Sequence, residues 1–253
     1  MNEKLISIHI PKTAGTSFRH TLIDVYGIER VMPFYYPDKS KISYKIPKRI
    51  RVLHGHISSH DYDQLIKQNP EWEKAKVISW VRDPVDRFIS NYFYMKDIVC
   101  RQLDNFNKDT PDLKKRMVRT LDDFIQRPNE RDEMVRFINE QDLVSNKFSF
   151  IGDVSNYDED LQLLAFILGW KAYRTYQHNT TKGKEKVDNE TRNRIRNILE
   201  GDMNIYDEVT AWRRTHQKAT GHSGFTPAVS IHNKLKLRNR AVGRVLSLFQ
   251  KIR

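Results

Sequence analysis

The sequence predicts an α/β fold: a central parallel sheet flanked by helices, with a helical insertion in the middle of the chain and further helices toward the C-terminus. Three observations carry this. Leu5–Ile10 is a short apolar run that breaks at Pro11 and gives way to a helix-compatible segment. Val77–Val81 is a nearly continuous apolar run, the mark of a strand buried on both faces, and it too ends at a proline junction. Phe148–Asp153 repeats the pattern ahead of an apolar-faced helix over Tyr157–Leu168.

Residues 4–10 are the first expected strand and 17–26 the first helix, with Thr16 and Ser17 as its N-cap candidates. Between them Pro11-Lys12-Thr13-Ala14-Gly15-Thr16-Ser17 forms a small-residue loop with one lysine. In a strand, tight loop and helix, backbone N–H groups and a helix N-terminus converge on an anion. Lys12 adds a full charge, and Thr13, Thr16 and Ser17 add hydroxyl donors. The segment reads as a cradle for phosphate or a phosphate-like group. It differs from the nucleoside-triphosphate loop, in which lysine directly follows the last glycine, because Lys12 precedes Gly15 and the earlier glycine is missing.

The run Ile8-His9-Ile10-Pro11-Lys12-Thr13-Ala14-Gly15-Thr16-Ser17 resembles the 5′-phosphosulfate loop of carbohydrate sulfotransferases, the group containing heparan sulfate 2-O-sulfotransferase. The resemblance implies 3′-phosphoadenosine 5′-phosphosulfate (PAPS) as donor, a P-loop-like sheet, and donor contacts from Lys12, Thr13, Ala14, Gly15, Thr16 and Ser17. It extends in order over residues 4–215 and is densest in the first hundred.

Val31–Tyr36 suits a strand or the start of a long active-site loop. Lys39 to Arg51 is basic, with Tyr44 and two isoleucines interleaved, and reads either as a solvated surface or as a hold for an acidic acceptor. In Val52-Leu53-His54-Gly55-His56-Ile57-Ser58, an extended backbone places His54 and His56 on one face. A pair of surface or core histidines is one reading, and metal binding is poorly served because no Cys or acidic partner stands at ligand spacing. A neutral imidazole can take a proton from an alcohol near pH 7. A His-Gly-His segment here resembles the catalytic-histidine strand of the 2-O-sulfotransferase group, which implies His56 as base with His54 in support, or the reverse.

Residues 61–76 read as an amphipathic helix. After Val81, Asp83 can cap a helix whose first position is Pro84. Arg82-Asp83-Pro84, then Arg87, Ser90 and Tyr92, resembles the family's 3′-phosphate segment, which implies Arg82 and Ser90 as phosphate contacts. Arg87 is expected to pair with an acidic neighbour. Residues 97–147 are charged and read as a helical insertion shaping the acceptor cleft. Tyr173–His178 is a further expected strand, and the basic loop Asn179–Lys184 stands where such enzymes close over the nucleotide, making Lys182 and Lys184 additional phosphate candidates. Helices are expected over 189–199 and 202–217.

The domain is thus expected to span 1–219, followed by a linker over 220–230 and a basic amphipathic helix over 231–253, which has no acidic residue. That helix suits docking, homo-oligomer formation or contact with an anionic membrane.

Composition bounds the function. At 253 residues the chain suits one α/β domain, and the net charge of +12 favours anionic partners. A single cysteine, Cys100, forbids an intrachain disulfide and favours a reducing compartment. With no apolar run near the ~20 residues a membrane span needs, a cytoplasmic protein, peripheral to membrane at most, is expected. The animal members of the resembled family are Golgi membrane enzymes, so the resemblance implies a soluble member of bacterial or viral type. The expected reaction is transfer of a sulfuryl group from PAPS to a hydroxyl of a carbohydrate or related acceptor, with no metal and no specific nucleic acid. Two other classes remain open: a nucleotide-dependent kinase with Asp83 as a magnesium carboxylate, and a noncatalytic polyanion-binding protein.

Overall fold

The computed structural model describes residues 3–35, 43–106, 120–176, 186–216 and 229–231. Five parallel strands form the central sheet in the order β2-β3-β1-β4-β5: β1 Leu5–Ile8, β2 Val31–Phe34, β3 Val52–Gly55, β4 Lys76–Val81 and β5 Phe150–Asp153. Every strand of this sheet except β2 is buried along almost its whole length, as the continuous apolar runs require. β2 lies at an edge, where Pro33 removes no interior ladder bond.

Alternation along each strand divides the core. Ile6, Ile8, Leu53, Val77 and Val81 face one side, with Leu65, Trp72, Val209 and Trp212 packed over them. Leu5, Val52, Ile78, Trp80 and Phe150 face the other, under Phe18, Leu22, Leu161 and Leu164. Helix α1 (Gly15–Tyr26) therefore covers one face and α2 (Ser59–Gln68) the opposite one. The chain leaves the adjacent strands β1 and β3 toward different faces, which opens a crevice at their carboxyl ends.

The other α-helices among the described residues are α3 Pro84–Phe106, α4 Leu121–Ile125, α5 Glu140–Val144, α6 Tyr157–Ile167, α7 Asn189–Ile198 and α8 Glu200–His216. Several boundaries differ from the sequence reading. The helix expected over 61–76 ends at Gln68: Asn69 leaves helical geometry and Pro70 starts a separate short turn through Trp72. It also begins earlier, because Ser58 and Asp61 form a capping box. In the 97–147 region, α3 continues to Phe106 and the described remainder is short helices rather than one long element. The strand expected over 173–178 is β6, Ala172–Arg174, paired with β7, Val229–Ile231, in a separate two-stranded sheet. Those last three residues fall within the expected linker and the first residue of the expected tail helix. The rest of the 220–253 tail, along with Lys182 and Lys184, lies outside the described residues. Among the described residues no helix is long and apolar enough to cross a membrane.

Helix α8 locks the domain from behind. Arg87 on α3 is fully buried, and its Nη2 donates to Asp202 Oδ2 at 3.1 Å. Asp202 Oδ1 accepts from the backbone N–H of Met134 at 2.7 Å, so one carboxylate joins three segments. One turn further along α8, Tyr206 Oη donates to Asp153 Oδ2 at 2.8 Å, and nearer its C-terminus Arg213 pairs with Asp153 and Asp160, fixing the end of β5. Removing one partner of a buried ion pair typically costs about 3–5 kcal/mol.

Candidate active site

The first loop leaves β1 through two residues in the left-handed region, Lys12 at φ 70° and Ala14 at φ 59°. Side chains seldom adopt this backbone unless their surroundings impose it. Ala14 is the N-cap of α1 and uses no side-chain bond, so the helix starts at Gly15, ahead of the expected Thr16 or Ser17 cap. Both hydroxyls lie inside the first turn instead, Thr16 exposed and Ser17 buried. First-turn N–H groups have no intrahelical acceptor, and the first closed turn is Phe18 N–H to Ala14 O at 3.0 Å. Thr13 departs from expectation: it is buried, and its hydroxyl donates to Ile10 O at 2.8 Å, closing the loop on itself.

Ser7 and His54 are register partners on β1 and β3, facing α1. His54 Nδ1 and Ser7 Oγ are hydrogen-bonded at 2.9 Å, and Nε2 lies 3.2 Å from Gly15 O. Donation from Nε2–H to that carbonyl leaves Nδ1 to accept from Ser7. Both ring nitrogens are thus engaged within the fold, and the ring is buried. Burial is the main cause that pushes its pKa down to about 3, with the charge of Arg19 adding to it.

His56 stands just beyond the end of β3 and is half-buried. Its backbone N–H donates to Phe34 O at 2.9 Å. Gly55 makes this approach possible, since a Cβ there would lie 2.0 Å from the same carbonyl oxygen. Burial lowers the His56 pKa to about 4, so its ring is neutral at pH 7. The pKa near neutrality expected of an exposed imidazole does not apply to the free protein.

Two residues that the sequence reading did not single out complete the cluster. The His9 ring stacks on His54 with centroids 5.4 Å apart and meets His56 edge-on at 4.9 Å. Its Nδ1 is hydrogen-bonded to Tyr35 Oη at 2.8 Å, and the Tyr35 ring lies 4.8 Å from His56. His9 is held well below the ordinary histidine pKa, first by burial and then by His54, His56, Lys12 and Arg19. Gly15 is required by this ring: a Cβ on it would lie 2.0 Å from His9 Nε2. His9, Tyr35 and His56 all follow the carboxyl ends of strands, the general place for ligands in such sheets, and that rule was the available signal.

The second strand–helix junction follows β4. Asp83 Oδ1 accepts the N–H of Asp86 at 2.9 Å, capping α3 with Pro84 at its first position. Arg82 is half-buried, and its guanidinium is lowered chiefly by burial, with Asp86 and Asp83 opposing. Ser90 lies on α3 and is buried. Lys12 reaches toward this helix: its Nζ lies 3.8 Å from the centroid of the Tyr94 ring. The structure thus brings Lys12 against α3, the helix that carries Ser90, while His9 touches both candidate base histidines. Among the described residues no group of three or more His, Cys, Asp or Glu side chains is arranged to hold a metal ion.

The structure thus sets a parallel sheet, a lysine-bearing strand–helix loop and a histidine cluster side by side at the carboxyl ends of the strands. The sequence matches the model of the sulfotransferase family over residues 1–207, and the chain belongs to that family. It is therefore a transferase of sulfuryl groups. No curated protein matches the sequence. Among solved structures, mouse sulfotransferase SULT7A1 complexed with PAP is similar at 16% identity and a TM-score of 0.42, over 98% of this chain and 90% of that one.

Proposed function

We propose that this protein transfers the sulfuryl group of PAPS to a hydroxyl of a carbohydrate or related acceptor and releases adenosine 3′,5′-bisphosphate. The observation that carries the reading is the meeting of the Lys12 loop and the neutral His56 at the carboxyl ends of adjacent parallel strands, joined by His9. In this reading the loop N–H groups and Lys12 hold the 5′-phosphosulfate, and Arg82 and Ser90 hold the 3′-phosphate. The loop 182–184 adds Lys182 and Lys184 to the donor contacts.

The acceptor oxygen attacks sulfur in line. A bond from that oxygen to sulfur forms as the bond from sulfur to the 5′-phosphate oxygen breaks. His56 takes the hydroxyl proton, and the electron pair left on the phosphate oxygen is stabilised by Lys12 and the loop N–H groups. The ring must be neutral to act, and burial ensures that it is. The negative donor beside it raises the pKa of the imidazole, making it a better proton acceptor in the complex than in the free protein.

The net charge of +12 suits an acidic acceptor, and the basic segment after residue 231 suits a second copy of the chain or an anionic membrane. The test is a calorimetric titration with PAPS, adenosine 3′,5′-bisphosphate and ATP, followed by transfer of labelled sulfuryl to sugars and polysaccharides. Binding of the first two in preference to ATP, with label on an acceptor hydroxyl, supports the reading. Preference for ATP with magnesium overturns it.

A further inference from the structure

We infer that Tyr94 is a positioning residue that holds the Lys12 ammonium in place before the donor arrives. The inference rests on the reading of Lys12 as the residue at the donor's 5′ group. Lys12 Nζ lies 3.8 Å from the ring centroid of Tyr94, well within the range of a cation–π contact. Tyr94 follows Ser90 by four residues on α3, so the two occupy one helix face. Lys12 sits on a left-handed backbone, and its side chain reaches that helix at Tyr94. The contact therefore ties the loop after β1 to the helix after β4, the two units assigned to opposite ends of the donor.

Tyr94 is 40% exposed, so it contributes little to the core. A lysine side chain loses much rotamer freedom when fixed. The ring restricts Lys12 in the free protein, so less of that freedom remains to be lost on binding. A phosphosulfate oxygen accepts from ammonium N–H groups turned away from the ring, so the cation–π contact persists in the complex and adds to donor affinity. Tyr94 thus sets the starting position of Lys12 without blocking its use.

The experiment compares the unmodified protein with Tyr94→Leu, Tyr94→Phe, Lys12→Ala and the Lys12→Ala/Tyr94→Leu double variant. Tyr94→Leu is expected to weaken PAPS binding about three- to tenfold, while adenosine 3′-monophosphate, which has no 5′ group, binds as before. Tyr94→Phe keeps the ring and restores PAPS affinity. In the Lys12→Ala background, Tyr94→Leu adds nothing, because the two residues act as one unit. A ring-current shift on the Lys12 side-chain protons, lost in Tyr94→Leu, reports the contact without any donor. Equal loss for both nucleotides, persistence of the loss without Lys12, or unchanged PAPS affinity in Tyr94→Leu overturns the inference. If the unmodified protein ignores PAPS while the ring-current shift is present, the donor reading has failed, and this role for Tyr94 fails with it. If PAPS binds normally and only the Tyr94 effects are missing, the donor reading stands and the inference alone is lost.

Discussion

His9 stacks on His54 with 12° between the ring planes, while His56 meets the same His9 ring edge-on. One imidazole thus joins the histidine bonded to Ser7 to the half-buried histidine just beyond the end of β3. It also separates two roles that an isolated His-Gly-His segment could not separate.

The first prediction concerns the base. His56→Ala is expected to lower turnover about 10²–10⁴-fold with donor binding nearly unchanged. Lys12→Ala should lower turnover and weaken PAPS binding as well, since that residue meets the donor in ground and transition states. Activity should fall with acid, because protonation removes the acceptor lone pair. The acid limb of kcat/KM for the donor should lie near the free-protein value of about 4. The limb of kcat should lie at higher pH, where the bound donor raises the imidazole pKa. Stopped-flow or labelled-transfer rates across pH 4–8 check this; a His56→Ala variant with near-normal turnover at saturating PAPS removes His56 from the role.

Arg82 is expected to read the 3′-phosphate. Arg82→Ala should erase most of the preference for adenosine 3′,5′-bisphosphate over 5′-AMP, about 1.5–3 kcal/mol for a charge-assisted contact. Calorimetry with the two nucleotides decides it, and equal affinities in the unmodified protein would remove the basis of the assignment.

Gly15→Ala tests the packing of the loop on the cluster. The added methyl would occupy the place of the His9 ring, 2.0 Å from its Nε2, so the ring must move. Because His9 contacts both other histidines, activity is expected to fall at least tenfold, the scale on which small misplacements act, while far-ultraviolet circular dichroism stays native. Near-normal rates with native-like spectra would show that the placement of His9 is immaterial.

Acid stability follows from the same cluster. The folded pKa values of His9, His54 and His56 are all depressed by burial. The unfolded chain titrates near 6.5 and binds these protons first, so stability is full above that pH and is lost as pH falls toward the folded values. Each histidine contributes a slope of up to about 1.4 kcal/mol per pH unit in that window. Urea midpoints measured from pH 7.5 to 5 should drop steeply, and His54→Asn should flatten the drop. A midpoint independent of pH in this window would contradict the burial of the three rings.

The strand–loop–helix junctions were legible because proline, small residues and a capping aspartate mark them locally. Arg87 as an ion-pair residue was legible too, since an arginine one turn into an apolar helix face must find a carboxylate. Its partner Asp202 was not, because that pairing depends on how a distant helix docks. His9 and Tyr35 escaped notice for the related reason that each is unremarkable in its own segment. They become neighbours of His56 only through the parallel register of β1, β2 and β3. The bond from the Thr13 hydroxyl to Ile10 O was not legible, because a hydroxyl in such a loop suits a ligand and a loop-closing bond equally well.

The attachment of α8 bears on how the molecule comes into being. Lys12, His56, Arg82 and Ser90 are all synthesised within the first ninety residues. The carboxylate that neutralises Arg87 lies 115 positions after it, and Arg213, which fastens the end of β5, comes later still. During vectorial synthesis the ribosome exposes every proposed reacting group long before the chain can bury an arginine at the heart of α3. A nascent chain, or a fragment cut before α8, would carry all of those groups without the carboxylate that neutralises Arg87 or the arginine that fastens the end of β5, so their alignment awaits a helix made long after the first loop.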